Sequence, residues 1–169
     1  MKKGMRSLGV LSILLILPFL WGCPYDSKVP LGKGCKAAID PALLGEWKNT
    51  DQAEPFTVII QQFNDHELLI MGIEKGKVQA DVIRAFVTTV KEERFLNVQE
   101  IKDPPDKRGW YLVKYAISGD TLTAWTVDDK LFSKPITCSG QLYRFVKKNL
   151  GNKELYGDAP PMVLQRVKK

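Results

Sequence analysis

From Asp40 onward, most of the chain consists of short runs in which apolar and polar residues alternate, separated by clusters of Gly, Pro, Asn, Asp and Lys. A period of two marks strands with one buried face, and turn residues at short, regular spacing predict an antiparallel meander. Phe56 to Phe63 and His66 to Ile73 flank Asn64-Asp65, a natural two-residue hairpin turn. After the turn Glu74-Lys75-Gly76-Lys77, a run rich in β-branched residues extends from Val78 to Val90, with Ile83, Ala85 and Val87 on one face and Arg84 on the other. Lys91-Glu92-Glu93 turns the chain into Arg94 to Ile101. There Phe95, Asn97 and Gln99 oppose Leu96 and Val98, and the pattern does not say which face is inside. Asp103 to Gly109 holds two prolines and a glycine and reads as an exposed loop. Trp110 to Ile117 alternates again, with Tyr111, Val113, Tyr115 and Ile117 on one face, and Ser118-Gly119-Asp120 returns the chain through Thr121 to Val127.

The period then changes. Leu142, Phe145, Val146 and Leu150 recur at i, i+3, i+4 and i+8, predicting a helix over Gly140 to Leu150. Ser139 is its N-cap, Lys147 and Lys148 favour its negative end, and Gly151 stops it. Met162 to Val167 forms a last strand after Ala159-Pro160-Pro161; pairing it with the strand around Trp47 closes the sheet and removes exposed edges. The fold class expected is therefore mainly β: an antiparallel meander closing into a barrel of about eight strands, with one C-terminal helix before the last strand. Asp40 can cap a short turn with Pro41 at its first position, and Leu43, Leu44 and Trp47 are the first large core candidates. Leu43-Leu44-Gly45-Glu46-Trp47 resembles the Gly-x-Trp opening of lipocalin-type barrels, and that resemblance implies a lipocalin-like small barrel.

The N-terminal stretch follows a different logic. Lys2, Lys3 and Arg6 precede an apolar run from Leu8 to Trp21, broken only by Gly9, Ser12 and Pro18, which is the layout of an export signal. At about 14 residues it falls short of the roughly 20 a spanning helix needs. Leu20-Trp21-Gly22-Cys23 resembles the lipobox of bacterial lipoproteins, although Trp21 is larger than the residue usual there. The resemblance implies that the signal, residues 1–22, is cut before Cys23 and that Cys23 carries a diacylglycerol, with a further acyl chain commonly added to the new amino terminus. Several chains hold firmly, since each buried CH₂ contributes about 0.8 kcal/mol. An ordinary secretory signal or an uncleaved anchor is the alternative. Pro24 stands where the retention signal of enteric inner-membrane lipoproteins has Asp, so the expected address is the outer membrane, facing the periplasm. Residues 23–39 contain Pro24, Pro30, Gly32 and Gly34 with little apolar periodicity and read as a lipidated flexible tether, leaving residues 40–169 as a single barrel domain. The combination is similar to uncharacterised proteobacterial lipoproteins, which bring no assigned chemistry with them.

Processing changes the charge balance. Of 25 basic and 19 acidic residues, the signal holds three basic ones, so the net charge falls from +6 to +3. The remaining excess sits at the end, in Arg144, Lys147, Lys148, Lys153, Arg166, Lys168 and Lys169, as a solvated basic face or a patch leaning on anionic headgroups. Nucleic acid is a poor partner for an exported domain. With Cys23 lipidated, Cys35 and Cys138 are left, and an oxidising periplasm permits a disulfide across about 100 residues, for which chain entropy gives roughly 4 to 5 kcal/mol.

Chemistry is sparse. One histidine and no Cys-x-x-Cys pair give no metal or cofactor motif, and neither a Gly-x-Ser-x-Gly elbow nor a phosphate-cradling loop occurs. His66 beside Asp65 could pose as a base with an orienting carboxylate, but a turn position makes it an exposed side chain. Asp128 and Asp129 point to opposite faces of a strand or belong to a turn. Trp47, Trp110, Tyr111, Tyr115 and Trp125 either line a cavity suited to an amphipathic ligand or fill a packed core, since eight strands make a barrel narrow enough to be filled by side chains. The expectation is a non-enzymatic envelope lipoprotein, held to the membrane by its lipid and binding a small amphipathic or lipid-like ligand. The alternatives are a protein-interaction module (an inhibitor or assembly factor) working through loops such as Asp103 to Gly109, and an envelope hydrolase.

Overall fold

In the computed structural model, which describes residues 23–49, 55–74, 77–78, 82–102 and 104–168, alternation resolves into nine strands among the described residues. They are β1 (Gly45–Asn49), β2 (Phe56–Gln62), β3 (Leu68–Glu74), β4 (Lys77–Val78), β5 (Ile83–Val90), β6 (Glu93–Glu100), β7 (Tyr111–Ser118), β8 (Thr121–Thr126) and β9 (Met162–Arg166). All neighbours pair antiparallel, in the order β2-β1-β9-β8-β7-β6-β5-β3-β4. A further pairing of β2 with β3 closes eight of them into a barrel, leaving β4 as a short extension against the end of β3. The closure expected between the last strand and the one around Trp47 is present, with Trp47 opposite Arg166. The single α-helix, α1 (Ser139–Asn149), precedes β9 as expected and starts one residue early, with Cys138 as N-cap. The expected export signal over residues 1–22 lies outside the described residues.

Each strand's two-residue period assigns one face to the lumen. Trp47, Val58, Ile60, Leu68, Ala85, Leu96, Tyr115, Leu122 and Leu164 form the inner core. One end of the barrel is plugged by the turn Pro41–Leu43, which Asp40 caps by accepting the Ala42 N–H at 3.0 Å. Leu43 is buried in that plug and its carbonyl accepts the Trp47 Nε1–H at 2.8 Å. Arg166, counted in the sequence among the basic excess, is used here: its guanidinium lies 4.1 Å from the centre of the Trp47 ring and donates to the carbonyls of Leu44 and Ala42. Asp40 closes the same end from the other side, accepting from Arg94 at 2.6 Å and from the Tyr115 hydroxyl at 2.8 Å.

A second core lies outside the barrel, and it corrects the expected tether. Residues 24–37 cross the outer wall of β8, β7, β6 and β5 as a strap. Pro24 bridges to Asp128, Tyr25 N–H donates to Val127, Ser27 exchanges backbone bonds with Trp110, and Leu31 is fully buried. Tyr25 and Leu31 pack with Phe95, Leu112 and Val127 of the wall and with Leu142 and Val146 of α1; Phe132 joins strap to helix, stacked at 3.5 Å on Tyr25 and 4.5 Å from Phe145. The ambiguity of Phe95, Asn97 and Gln99 against Leu96 and Val98 is thereby explained, because both faces of β6 are covered. Asn97 is the polar staple of this layer. Its Oδ1 accepts the Leu31 N–H at 2.5 Å, and its Nδ2 donates to Thr88 Oγ1 at 3.0 Å. Asn97→Ala leaves the Leu31 N–H buried without its acceptor, a loss of about 1–3 kcal/mol. Urea unfolding will show that loss, and amide exchange will show faster opening at Leu31. Gly109 packs against the strap, and a Cβ there would lie 1.6 Å from Asp26 Oδ1, so any side chain must displace that carboxylate.

The expected disulfide is absent. Cys35 and Cys138 are both free and exposed, as is Cys23. Cys35 rides on the strap, where the neighbouring Gly34 approaches the Phe86 ring, whereas Cys138 is the N-cap of α1. The run from Val78 to Val90 is also shorter as a strand than expected, β5 beginning only at Ile83.

Candidate functional site

The two ends of the lumen differ. At the plugged end, where β1, β3, β6 and β8 begin, Trp47, Tyr115, Leu43, Leu68 and Leu164 are all at most 1% exposed, which makes this half a packed core. Towards the other end, where β2, β5, β7 and β9 begin, the inward-facing Phe56, Ile70, Val98, Val113 and Met162 are only partly buried although they belong to the same inner cluster. Val87 and Ile117 at the plugged end are also partly buried, but there Leu43 and the Pro41–Leu43 turn cover the lumen, so the accessible inward side chains at the opposite end are read as the lining of a shallow apolar cup. Asn49, Glu74, Glu100 and Tyr111 face inward at its rim, being opposite Leu164, Phe56, Ile83 and Val98 in the register. Glu100 also lies 3.5 Å from Lys102. Apolar walls with a few polar groups at the entrance are the usual make-up of a small-molecule site.

Of the five aromatic residues singled out from sequence, the structure brings three into the lumen. Tyr111 is at the rim, while Tyr115 and Trp47 sit in the packed half. Trp110 and Trp125 are corrections: both point outward. Trp110 packs edge-on to Phe86 at 5.3 Å beneath the strap, and Trp125 lies on the outer wall with Lys114 Nζ 5.3 Å above its ring. Strand parity would have separated them, because Trp110 alternates with Tyr111 and Trp125 pairs with outward Lys114.

A cleft that sequence reasoning missed opens outside, between the strap and the plugged end. It encloses about 710 Å³ and is walled by Ile39, Val87, Thr89, Arg94, Lys33 and Lys36 among others. Lys33 and Lys36 are exposed and have no acidic partner among the described residues. No periodic signal marked them, because the strap crosses the strands and its contacts fall at irregular spacing.

His66 is exposed and places Nδ1 2.8 Å from the Ala37 carbonyl, to which it donates when that nitrogen carries the proton. Asp128 is buried and accepts the Lys130 N–H within its own turn at 2.9 Å, whereas Asp129 is exposed. Among the described residues no group of three or more His, Cys, Asp or Glu stands together to hold a metal, and no helix is long and apolar enough to cross a membrane. No protein-family model, curated protein or solved structure matches the chain.

Two tyrosines titrate abnormally. Burial, then the hydrogen bond to Asp40 and its charge, raise the Tyr115 phenol far above the ordinary tyrosine value, with Arg94 opposing. Burial and the Glu93 carboxylate push Tyr156 up to about 12, and its hydroxyl is buried without a partner. Both phenols ionise more easily in the unfolded chain, so their contribution to stability is whole below about pH 10 and for Tyr156 disappears as pH rises towards about 12. Tyr156→Phe therefore raises Tm at neutral pH, by removing an unpaired buried hydroxyl, and flattens the alkaline fall of stability over that window. Thermal melts at stepped pH will show both effects.

Proposed function

We propose that this chain is a non-enzymatic cell-envelope lipoprotein, anchored through Cys23 on the periplasmic face of the outer membrane, whose barrel holds a small amphipathic, lipid-like ligand in the cup at its open end. One observation carries the ligand reading: inward apolar side chains at that end, Phe56, Ile70, Val98, Val113 and Met162, remain accessible beneath a polar rim. The depth available suits the end of an apolar chain, because the packed half below Val58 and Ala85 admits nothing further. The lipobox at Cys23, which stands exposed at the start of the strap, supports the address.

The test is titration of the soluble domain, beginning at residue 24, with a fatty acid carrying an environment-sensitive fluorophore. Saturable enhancement is expected, and Val98→Trp, which fills the cup, weakens it at least tenfold while circular dichroism stays that of the parent. Absence of saturable binding, or a folded Val98→Trp domain that binds as well as the parent, contradicts the reading. A protein-interaction role is favoured by a different observation, the cleft with the unpaired Lys33 and Lys36, which suits an acidic segment of a partner. Such association would be weakened by salt and indifferent to Val98→Trp.

A further inference from the structure

The strap gives the anchor a geometry that a tether would not. Cys23 accepts the Asp129 N–H through its carbonyl at 3.0 Å, Pro24 bridges to Asp128, and Tyr25 donates to Val127 at 2.9 Å. An acylated Cys23 therefore has no loose residue between its acyl chains and the barrel. One residue spans at most about 3.6 Å, whereas a flexible linker of ten residues averages roughly 16–19 Å. The wall at Cys23 must then lie at the headgroups of the bilayer its lipid enters.

The side chains there fit such a neighbour. Trp125 and Tyr156 share a small recess with Pro24, Ala159 and Pro160, and Trp125 is half-buried on the outer wall. An indole with one polar edge favours the membrane–water boundary, and Trp125 carries this argument, the Tyr156 hydroxyl being buried. The local charges are paired: Lys130 with Asp158, and Lys114 with Glu93, the Lys114 ammonium lying over the rings of Trp125 and Tyr156, while Asp129 is exposed beside them. Val127 continues β8 past its end at Thr126, so this wall adjoins the end at which the cup opens.

We propose that the wall around Cys23, carrying Trp125, is a bilayer-contact surface, so that the anchored barrel stands with its open cup at the membrane and the plugged end, with the Lys33 and Lys36 cleft, facing away. This rests on lipidation of Cys23. It names the source of the ligand: an acyl-chain amphiphile of the same bilayer, entering the cup without crossing bulk water.

The full lipidated protein is reconstituted into phosphatidylcholine vesicles with and without acyl chains brominated near the ester end, and co-flotation and tryptophan emission are both read. Trp47 and Trp110 are buried, so contact quenching reports Trp125. The expected result is flotation with loss of the Trp125 component of the emission. That loss disappears in Trp125→Phe and falls sharply when ten Gly/Ser residues are inserted between Cys23 and Pro24, a change that leaves the barrel intact. A floating protein whose emission ignores bromine, or whose quenching survives the insertion or Trp125→Phe, overturns the orientation and leaves the anchor standing. A protein that does not float overturns the anchor, and the orientation with it.

Discussion

Trp47→Ala destabilises the domain by about 3–5 kcal/mol, the cost of removing a fully buried large aromatic side chain. For a chain of this size, Tm falls on the order of 10 °C. Three terms act together. The indole fills the plugged half of the lumen between Val58 and Arg166, its Nε1–H satisfies the Leu43 carbonyl, and its face carries the Arg166 guanidinium. Trp47→Phe separates them, because it keeps most of the volume and the ring face but leaves the Leu43 carbonyl without its donor. Its loss is therefore the smaller, about 1–3 kcal/mol. Denaturant unfolding of the two variants will give this order; equal losses would mean that the plug depends on the hydrogen bond rather than on the filled volume.

On the proposed anchoring, Cys23→Ser abolishes acylation and leaves the chain at precursor mass. The expected change is complete loss of metabolic label from a fatty acid and retention of residues 1–22, read by intact mass. The fold itself is unaffected, because Cys23 joins the barrel through its backbone carbonyl and not its thiol. A Cys23→Ser protein that is still cut and labelled would place the anchor elsewhere.

The barrel was legible because its strands obey a two-residue period and its turns announce themselves. The hairpin expected as a two-residue turn at Asn64-Asp65 is in place between β2 and β3 but is longer, since the strands end at Gln62 and Leu68 and the Asn64 side chain holds the loop by accepting the N–H groups of His66 and Glu67. The i, i+3, i+4 pattern of Leu142, Phe145 and Val146 placed α1 to within a residue. The strap was illegible for the opposite reason. A segment that runs across strands buries Tyr25, Ser27, Leu31 and Ala37 at intervals set by the wall beneath it, with no period of its own. Its trace in the sequence lay elsewhere, in the apolar outward face of Phe95 and Leu112, which a solvated wall would not need. The same blind spot hid the cleft and sent Trp110 and Trp125 to the wrong side, since hydrophobicity alone does not tell a lumen from a covered wall.

The most direct measurement of the central claim is native mass spectrometry of the whole protein, purified from membranes in mild detergent. The account predicts the mass of a chain beginning at acylated Cys23 plus one bound amphiphile of lipid-like mass, released on unfolding and missing from Val98→Trp. A folded protein that carries its acyl chains and nothing else would contradict it.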